Sequence, residues 1–366
     1  MNERECTIAL NTVESMDPAR FTRLIRRFGS AKGVLGASED ALCAVEGIGP
    51  VTAGKIVELR DGRKLREELC EAARLRIDVV TASDPGYPEP LMNIHDPPPV
   101  LYIKGRILPA DALSLAIVGS RHPTRYGRAA TWLVAGGAAG AGFTVISGMA
   151  RGIDSEAHRA ALESGGRTIA VLGSGLDVVY PPENAKLAHE IAGNGAVASE
   201  RSLGTRPFGQ NFPARNRIIS GLALGVVVVE ATERSGALIT ADLALSQGRE
   251  VFSVPGDIRS PLSRGTHMLI RQGATLVEGM NDIASALGIE IARVCSRGQG
   301  GAGALLSAHE RRVLASMGFQ AASADDIVNE TGLEARDVAV ALVSLELRGL
   351  VQRALDGYVR RSKGGG

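Results

Sequence analysis

Short aliphatic runs recur through the middle of the chain, at Leu115–Val118, Phe143–Ile146, Thr168–Leu172, Ala196–Ser199, Val226–Val229, Val251–Val254 and Ala274–Val277. Each has the length of a strand buried on both faces, and the set is rich in β-branched residues. Segments of helical period lie between them, among them Asn184–Ile191, Ala214–Ala223, Gly236–Gln247 and Thr266–Arg271. Strand, turn and helix in alternation predict an α/β fold, a Rossmann-like, mostly parallel sheet over residues 112–289.

The pattern changes on either side. Residues 1–75 read as helices, and Leu42–Leu59 places Gly47-Ile48-Gly49 between two short helical patterns. That spacing is similar to a helix-hairpin-helix (a SAM-like helical domain), whose glycine hairpin offers backbone N–H groups to a phosphate, with Lys55 adding charge. A plain helical bundle of the same shape fits equally well, because Glu46 and Glu58 weaken the positive field. Residues 76–111 are punctuated by Asp84-Pro85-Gly86 and Asp96-Pro97-Pro98-Pro99, with short runs at Val79-Val80 and Val100–Ile103. They read as an extended lead-in that adds a strand or two to the main domain. Residues 290–304 have the composition of a flexible linker. Residues 305–361 read as a winged-helix module. A capping box at Ser307 and Glu310 opens its first helix. Ser323–Thr331 and Glu334–Arg348 give two more, and Gly349–Gln352 and Gly357–Arg360 form a hairpin about Asp356-Gly357. Arg336 and Arg348 are the cations of the third helix, which suits a protein contact at least as well as DNA reading.

Composition narrows the chemistry. The chain has 366 residues, with 41 Lys+Arg against 40 Asp+Glu, for a net charge of +1. A nucleic-acid partner therefore requires a local positive pocket rather than a basic surface. Aromatic residues make up 4% of the chain, which argues against many stacking platforms. Cys6, Cys43, Cys70 and Cys295 are too few for a disulfide scaffold, and they show no metal-ligand spacing. The N-terminus is charged and no apolar run has the length of a membrane span, so the expectation is a cytoplasmic protein away from membranes. No P-loop, nucleophile elbow or histidine metal motif occurs, and no catalytic constellation, metal site or cofactor is expected.

The turns carry the candidate chemistry. In doubly wound sheets ligands bind outside the carboxyl ends of the strands, where helix N-termini favour anions. The first turn holds Gly119, Ser120 and Arg121, and the second holds Ser147, Gly148, Arg151 and Gly152. Small residues with an arginine in each make a phosphate cradle. The alternative, tight turns whose arginines reach solvent, would not explain why both turns repeat the recipe. Gly173 closes the third strand, and Lys186 sits on the helix after it. Arg215, Asn216 and Arg217 stand at an expected helix start, although Glu200, Glu230 or Glu233 offers either arginine an ion pair instead. Ser235 and Gly236 begin the next helix.

Taken together, Gly119-Ser120-Arg121, Ser147-Gly148-x-Ala150-Arg151-Gly152-Ile153-Asp154, Tyr180-Pro181-x-x-Asn184, Phe212-Pro213-x-Arg215-Asn216-Arg217-Ile218-Ile219-Ser220-Gly221 and Ser235-Gly236-Ala237-Leu238-Ile239-Thr240-Ala241 resemble the DNA processing protein A family, DprA or Smf. The resemblance spans the main domain, and both flanks fit it. It implies a Rossmann-fold protein that binds single-stranded DNA in a basic pocket, with Arg121 at the DNA and the neighbouring turn residues as its wall. It further implies a homodimer that protects incoming DNA in natural transformation and loads RecA recombinase, with no catalytic activity. The competing reading is an enzyme acting on a nucleotide monophosphate in the same cradle. Such phosphoribohydrolases carry a Pro-Gly-Gly-x-Gly-Thr-x-x-Glu motif that this chain lacks.

Overall fold

The computed structural model of the chain describes residues 1–14, 16–289, 307–317, 322–347, 350–354 and 357–360. They divide into two compact units, before and after residue 290.

Six helices open the first unit: α1 (Glu3–Asn11), α2 (Pro18–Phe28), α3 (Ala31–Gly36), α4 (Glu39–Cys43), α5 (Pro50–Glu58) and α6 (Arg63–Arg74). Asn2, Asp17, Ser30 and Ser38 precede the first four, and each side chain accepts a backbone N–H of the turn that follows. Each such cap contributes about 1 kcal/mol. The expected hairpin forms between α4 and α5, with Gly47 at φ +84°. Lys55 is drawn to Glu14 at 3.8 Å.

The lead-in contributes β1 (Asp78–Thr81), α7 (Glu89–Met92) and β2 (Val100–Gly105). The alternating region then gives β3 (Ser114–Val118), α8 (Arg125–Gly140), β4 (Thr144–Ser147), α9 (Ile153–Glu163), β5 (Thr168–Val171), α10 (Ala185–Gly193), β6 (Gly195–Ser199), α11 (Asn211–Leu222), β7 (Gly225–Val228), α12 (Gly236–Ser246), β8 (Glu250–Ser253), α13 (Arg264–Arg271), β9 (Thr275–Leu276) and α14 (Met280–Ala286). One sheet runs β1-β2-β6-β5-β4-β3-β7-β8-β9. The strands from β6 to β9 are parallel, whereas β2 pairs antiparallel with β6, and β1 with β2.

Both faces of the sheet are covered. Leu115 and Ile117 of β3 face the layer formed by α8, α9 and α14, while Ala116 and Val118 face α11 and α12. Strands buried on both faces read as unbroken apolar runs rather than as alternation, which is why they stood out in the sequence. The N-terminal helices share a third apolar cluster with β2, α10 and the end of β5.

The second unit holds α15 (Ala308–Ser316), α16 (Ala324–Thr331), α17 (Ala335–Leu347) and the antiparallel pair β10 (Val351–Ala354) and β11 (Gly357–Arg360). This is the winged-helix layout, and Ser307 with Glu310 forms the expected capping box. Arg336 is exposed, while Arg348, Asp356 and the linker expected at 290–304 lie outside the described residues. No helix among the described residues is long and apolar enough to cross a membrane.

Candidate nucleic-acid interface

The strand order creates one reversal. The chain lays β4, β5 and β6 on one side of β3, then returns through α11 to set β7 on the other side. β3 and β7 stay paired to their carboxyl ends, but the connections leaving them run to opposite faces, to α8 and to α12, the place where doubly wound folds bind ligands. A cleft of about 420 Å³ opens at that point. Gly119 and Arg121 line it after β3, Arg215 and Asn216 from α11, and Ser235 and Gly236 at the start of α12.

Gly152 holds the first two turns together. Its φ is +77°, and a Cβ would stand 2.3 Å from the Ser120 carbonyl oxygen and 2.7 Å from the Arg121 carbonyl carbon. Any side chain would force the turns apart and move Arg121. The Ile153 N–H donates to the Ser120 carbonyl at 3.1 Å, which seals the contact.

Two helix ends expected to be open to an anion are already filled from within. The Glu230 carboxylate, at the end of β7, accepts the Thr124 N–H at 2.9 Å and the Thr124 hydroxyl at 2.5 Å. It therefore occupies the N-terminus of α8, where a dinucleotide fold would hold its pyrophosphate. The space comes from Gly127, whose Cβ would fall 2.2 Å from Glu230 Oε2. At the second turn, the buried Asp154 carboxylate accepts the N–H groups of Gly148 at 3.1 Å and Ala150 at 3.4 Å. Burial raises the Asp154 pKa, against the opposing pull of Arg215 and those two N–H groups. The α12 end differs: Ser235 caps it through Ala237 N–H at 3.3 Å, and Gly236 faces open space.

The cations divide by burial. Arg121 is exposed at the cleft, and its guanidinium carbon lies 5.9 Å from the centre of the Phe212 ring. No carboxylate stands within 4 Å of it among the described residues. Arg215 is 4% exposed. Its Nη1 donates to the Gly148 carbonyl at 2.8 Å and to the Val171 carbonyl, and its Nε donates to Asn216 Oδ1 at 3.3 Å. Burial lowers its pKa to about 10, with Asp154 opposing and Arg121 adding to the shift. It remains a cation at neutral pH, held by carbonyl groups instead of the ion pairs that the sequence offered. Asn216 is half-buried beside it.

The structure separates the other candidates from the cleft. Arg217 is buried in an ion pair with Glu200 at 2.6 Å. The helix begins at Asn211, so Arg215 and Arg217 lie within its body, about 200° apart around the axis, and cannot face one pocket. Arg151 is half-exposed and pairs with Glu183, which raises its pKa and lowers that of Glu183. Lys186 is 90% exposed and reaches Glu190 at 3.8 Å, a pair along its own helix. The Ser147 hydroxyl is buried and donates to the Ile117 carbonyl at 2.6 Å, so it forms the sheet end beneath the turn. Gly173 backs the cleft, since a Cβ there would meet the Phe212 ring at 3.1 Å. The Ser120 hydroxyl oxygen accepts the His122 N–H at 3.1 Å.

Sequence reasoning passed over Phe212 as a contact residue. Its signals were its place in the Phe212-Pro213 motif and an aromatic ring near a helix start, and its approach to Arg121 required the fold. Asn184 likewise stood only as part of a family motif, without a role of its own. Its buried amide donates to the Met149 carbonyl at 2.9 Å and to Ser155 Oγ at 2.8 Å, bracing the second turn where Met149 adopts φ +61°. Among the described residues no group of His, Cys, Asp and Glu is placed to hold a metal ion.

Comparison with known proteins follows the same outline. A family model described as DNA recombination-mediator protein A matches residues 78–288, and one described as the DprA winged helix domain matches residues 300–357. Protein Smf of Synechocystis is 34% identical over 96% of this chain and 97% of its own length. DNA processing protein DprA of Streptococcus pneumoniae is 45% identical over 55% of this chain and 71% of its own. The X-ray structure of the Streptococcus pneumoniae protein superposes with a TM-score of 0.66 at 35% identity, covering 77% of this chain and 97% of that one. A structure of DNA processing protein A from Helicobacter pylori, described for its single-stranded DNA binding mode, gives 0.53 at 31% identity over 58% of this chain and 95% of that one. With family models matching the sheet domain and the winged-helix module, and a relative 34% identical along nearly its whole length, this chain belongs to the DNA processing protein A (DprA/Smf) family.

Proposed function

We propose that this protein binds single-stranded DNA in the cleft and acts as a recombination mediator. In this reading it is a cytoplasmic homodimer that shields incoming DNA during natural transformation and passes it to RecA recombinase. It is a binding protein without a cofactor rather than an enzyme. The observation that carries the reading is Arg121: exposed at the cleft, unpaired with any carboxylate among the described residues, and set over Phe212. The guanidinium can take a phosphate while the ring takes a base face.

Arg215 supports the site from below. Its buried charge adds a positive field that solvent screens little, and its hydrogen bond orients Asn216 at the cleft wall. The open start of α12 supplies N–H donors. A local pocket of this kind fits a chain of net charge +1. The relative from Helicobacter pylori, described for single-stranded DNA binding, supports the ligand class. The RecA and dimer parts of the reading rest on family membership.

The test is fluorescence anisotropy of a labelled oligothymidine with wild type and Arg121→Glu across a salt series, with a mononucleotide as competitor. The expected result is tight, salt-sensitive binding that the folded variant loses and the mononucleotide does not displace. Equal binding by the variant, or tight binding of the mononucleotide, would overturn the reading. RecA filament formation on coated DNA, with and without the protein, tests the hand-over.

A further inference from the structure

We infer that the N-terminal helices carry a second nucleic-acid surface, separate from the cleft, that takes the phosphate backbone of duplex DNA. Helix α2 places Arg20, Arg23, Arg26 and Arg27 within about 120° of arc, at about 100° per residue. Its opposite side is apolar, with Leu24 buried and Phe21, Ile25 and Phe28 packed against the core. The cationic arc adjoins the glycine hairpin. Arg20 Nε donates to the Gly47 carbonyl at 3.0 Å, and a Cβ on Gly47 would stand 3.1 Å from Arg23 Nη2.

The local charge balance is positive. Asp17 pairs with Arg20 at 3.4 Å, and Glu46 precedes the hairpin. Arg23, Arg26 and Arg27 have no carboxylate within 4 Å among the described residues. Arg23 Nε is buried without a hydrogen-bond partner. Arg26 and Arg27 are exposed in the last turn of the helix.

Two features select duplex over single strand. Both phenylalanines of α2 are turned into the core, so the arc offers charge without a stacking platform, whereas the cleft has Phe212. Arg20 and Arg27 stand about 10 Å apart along the axis at 1.5 Å per residue, and a duplex carries one negative charge about every 1.7 Å of its axis. A rigid double helix presents that dense row of phosphates along the arc without needing its bases read.

The test is binding of the full-length protein to a blunt duplex and to a short oligothymidine across a salt series. The variants are the triple substitution of Arg23, Arg26 and Arg27 to Ala and the same triple to Lys. The Ala triple is expected to bind duplex at least about tenfold more weakly and to flatten the log–log salt slope by about 2–3. Its oligothymidine binding should match wild type, and the Lys triple should keep duplex binding. Unchanged duplex affinity and slope in the Ala triple would overturn the inference. So would equal loss in both triples, or loss of oligothymidine and duplex together. If Arg121→Glu leaves oligothymidine binding intact while the Ala triple loses duplex alone, the cleft reading fails and this one stands.

Discussion

The carboxylate of Glu230 closes the first helix of the sheet by accepting the Thr124 N–H at 2.9 Å and its hydroxyl at 2.5 Å. The family's fold is Rossmann-like, yet the helix end that serves a dinucleotide pyrophosphate is here a structural joint. The cleft beside it is lined instead by Arg121 and by Ser235 and Gly236 at the start of α12.

Glu230→Ala should therefore destabilise the protein by about 2–4 kcal/mol, through lost charged hydrogen bonds and a cavity. Gly127→Ala should cost at least about 1–3 kcal/mol by overpacking, because its Cβ would overlap the same carboxylate. Urea unfolding of each variant measures both. A Glu230→Ala protein as stable as wild type would show that the joint contributes nothing.

Arg217 and Arg121 should behave oppositely. Removing the Arg217 partner of Glu200 by Arg217→Met should cost about 1.5–3 kcal/mol of stability, because Arg201 at 3.4 Å still faces the carboxylate. The folded fraction should still bind oligothymidine within about threefold of wild type. Arg121→Ala should leave the denaturation midpoint unchanged and weaken binding by about 1.5–3 kcal/mol. Thermal unfolding and anisotropy on the same samples separate the two roles.

Phe212→Leu keeps an apolar side chain at the cleft but removes the ring. Loss of stacking should weaken single-strand binding by about 1–3 kcal/mol, with a salt slope like that of wild type because no charge is lost. Phe212→Tyr should retain most of the affinity. A Leu variant that binds as wild type would remove the ring from the site.

His158 supplies a pH signature. It is fully buried; its Nδ1–H donates to Thr168 Oγ1 at 2.7 Å, and the Thr168 hydroxyl donates onward to the Val145 carbonyl at 2.7 Å. Burial lowers its pKa to about 3, with Arg215 and Arg159 adding to the shift. The unfolded chain binds a proton near pH 6.5, whereas the folded chain does so only near pH 3. The stability from this group is thus present above pH 6.5 and falls as pH drops toward 3. Relative to His158→Leu, wild type should lose about 2–3 kcal/mol between pH 6.5 and 4.5, at about 1.4 kcal/mol per unit. Urea unfolding across that range measures it, and the His158 proton resonance should not titrate in the folded protein.

The sheet was legible in the sequence for a physical reason. Strands buried on both faces carry mostly apolar residues, with hydrogen-bonded Ser or Thr at their ends, so Leu115–Val118 and Val226–Val228 read as unbroken runs, and Ser307 with Glu310 marked a helix start in the second unit by local chemistry alone. One part of the site was legible but passed over. Arg215 and Arg217 are two positions apart, so a helix running through both must point them to different sides; the misplaced helix start concealed this.

What the sequence by itself determined was everything set by local periodicity and turn chemistry: the alternating fold, the flanking modules and the glycine-rich turns that bring Arg121 to a cleft. Tertiary structure alone decided which charges stay available. Several carboxylates compete for each arginine and each helix end along the chain. Only folding shows that Glu200 takes Arg217, Glu183 takes Arg151 and Glu230 takes the α8 end, while Arg121 is left over Phe212. Coulomb attraction falls with distance and rises with burial, and neither quantity is written in the order of the residues.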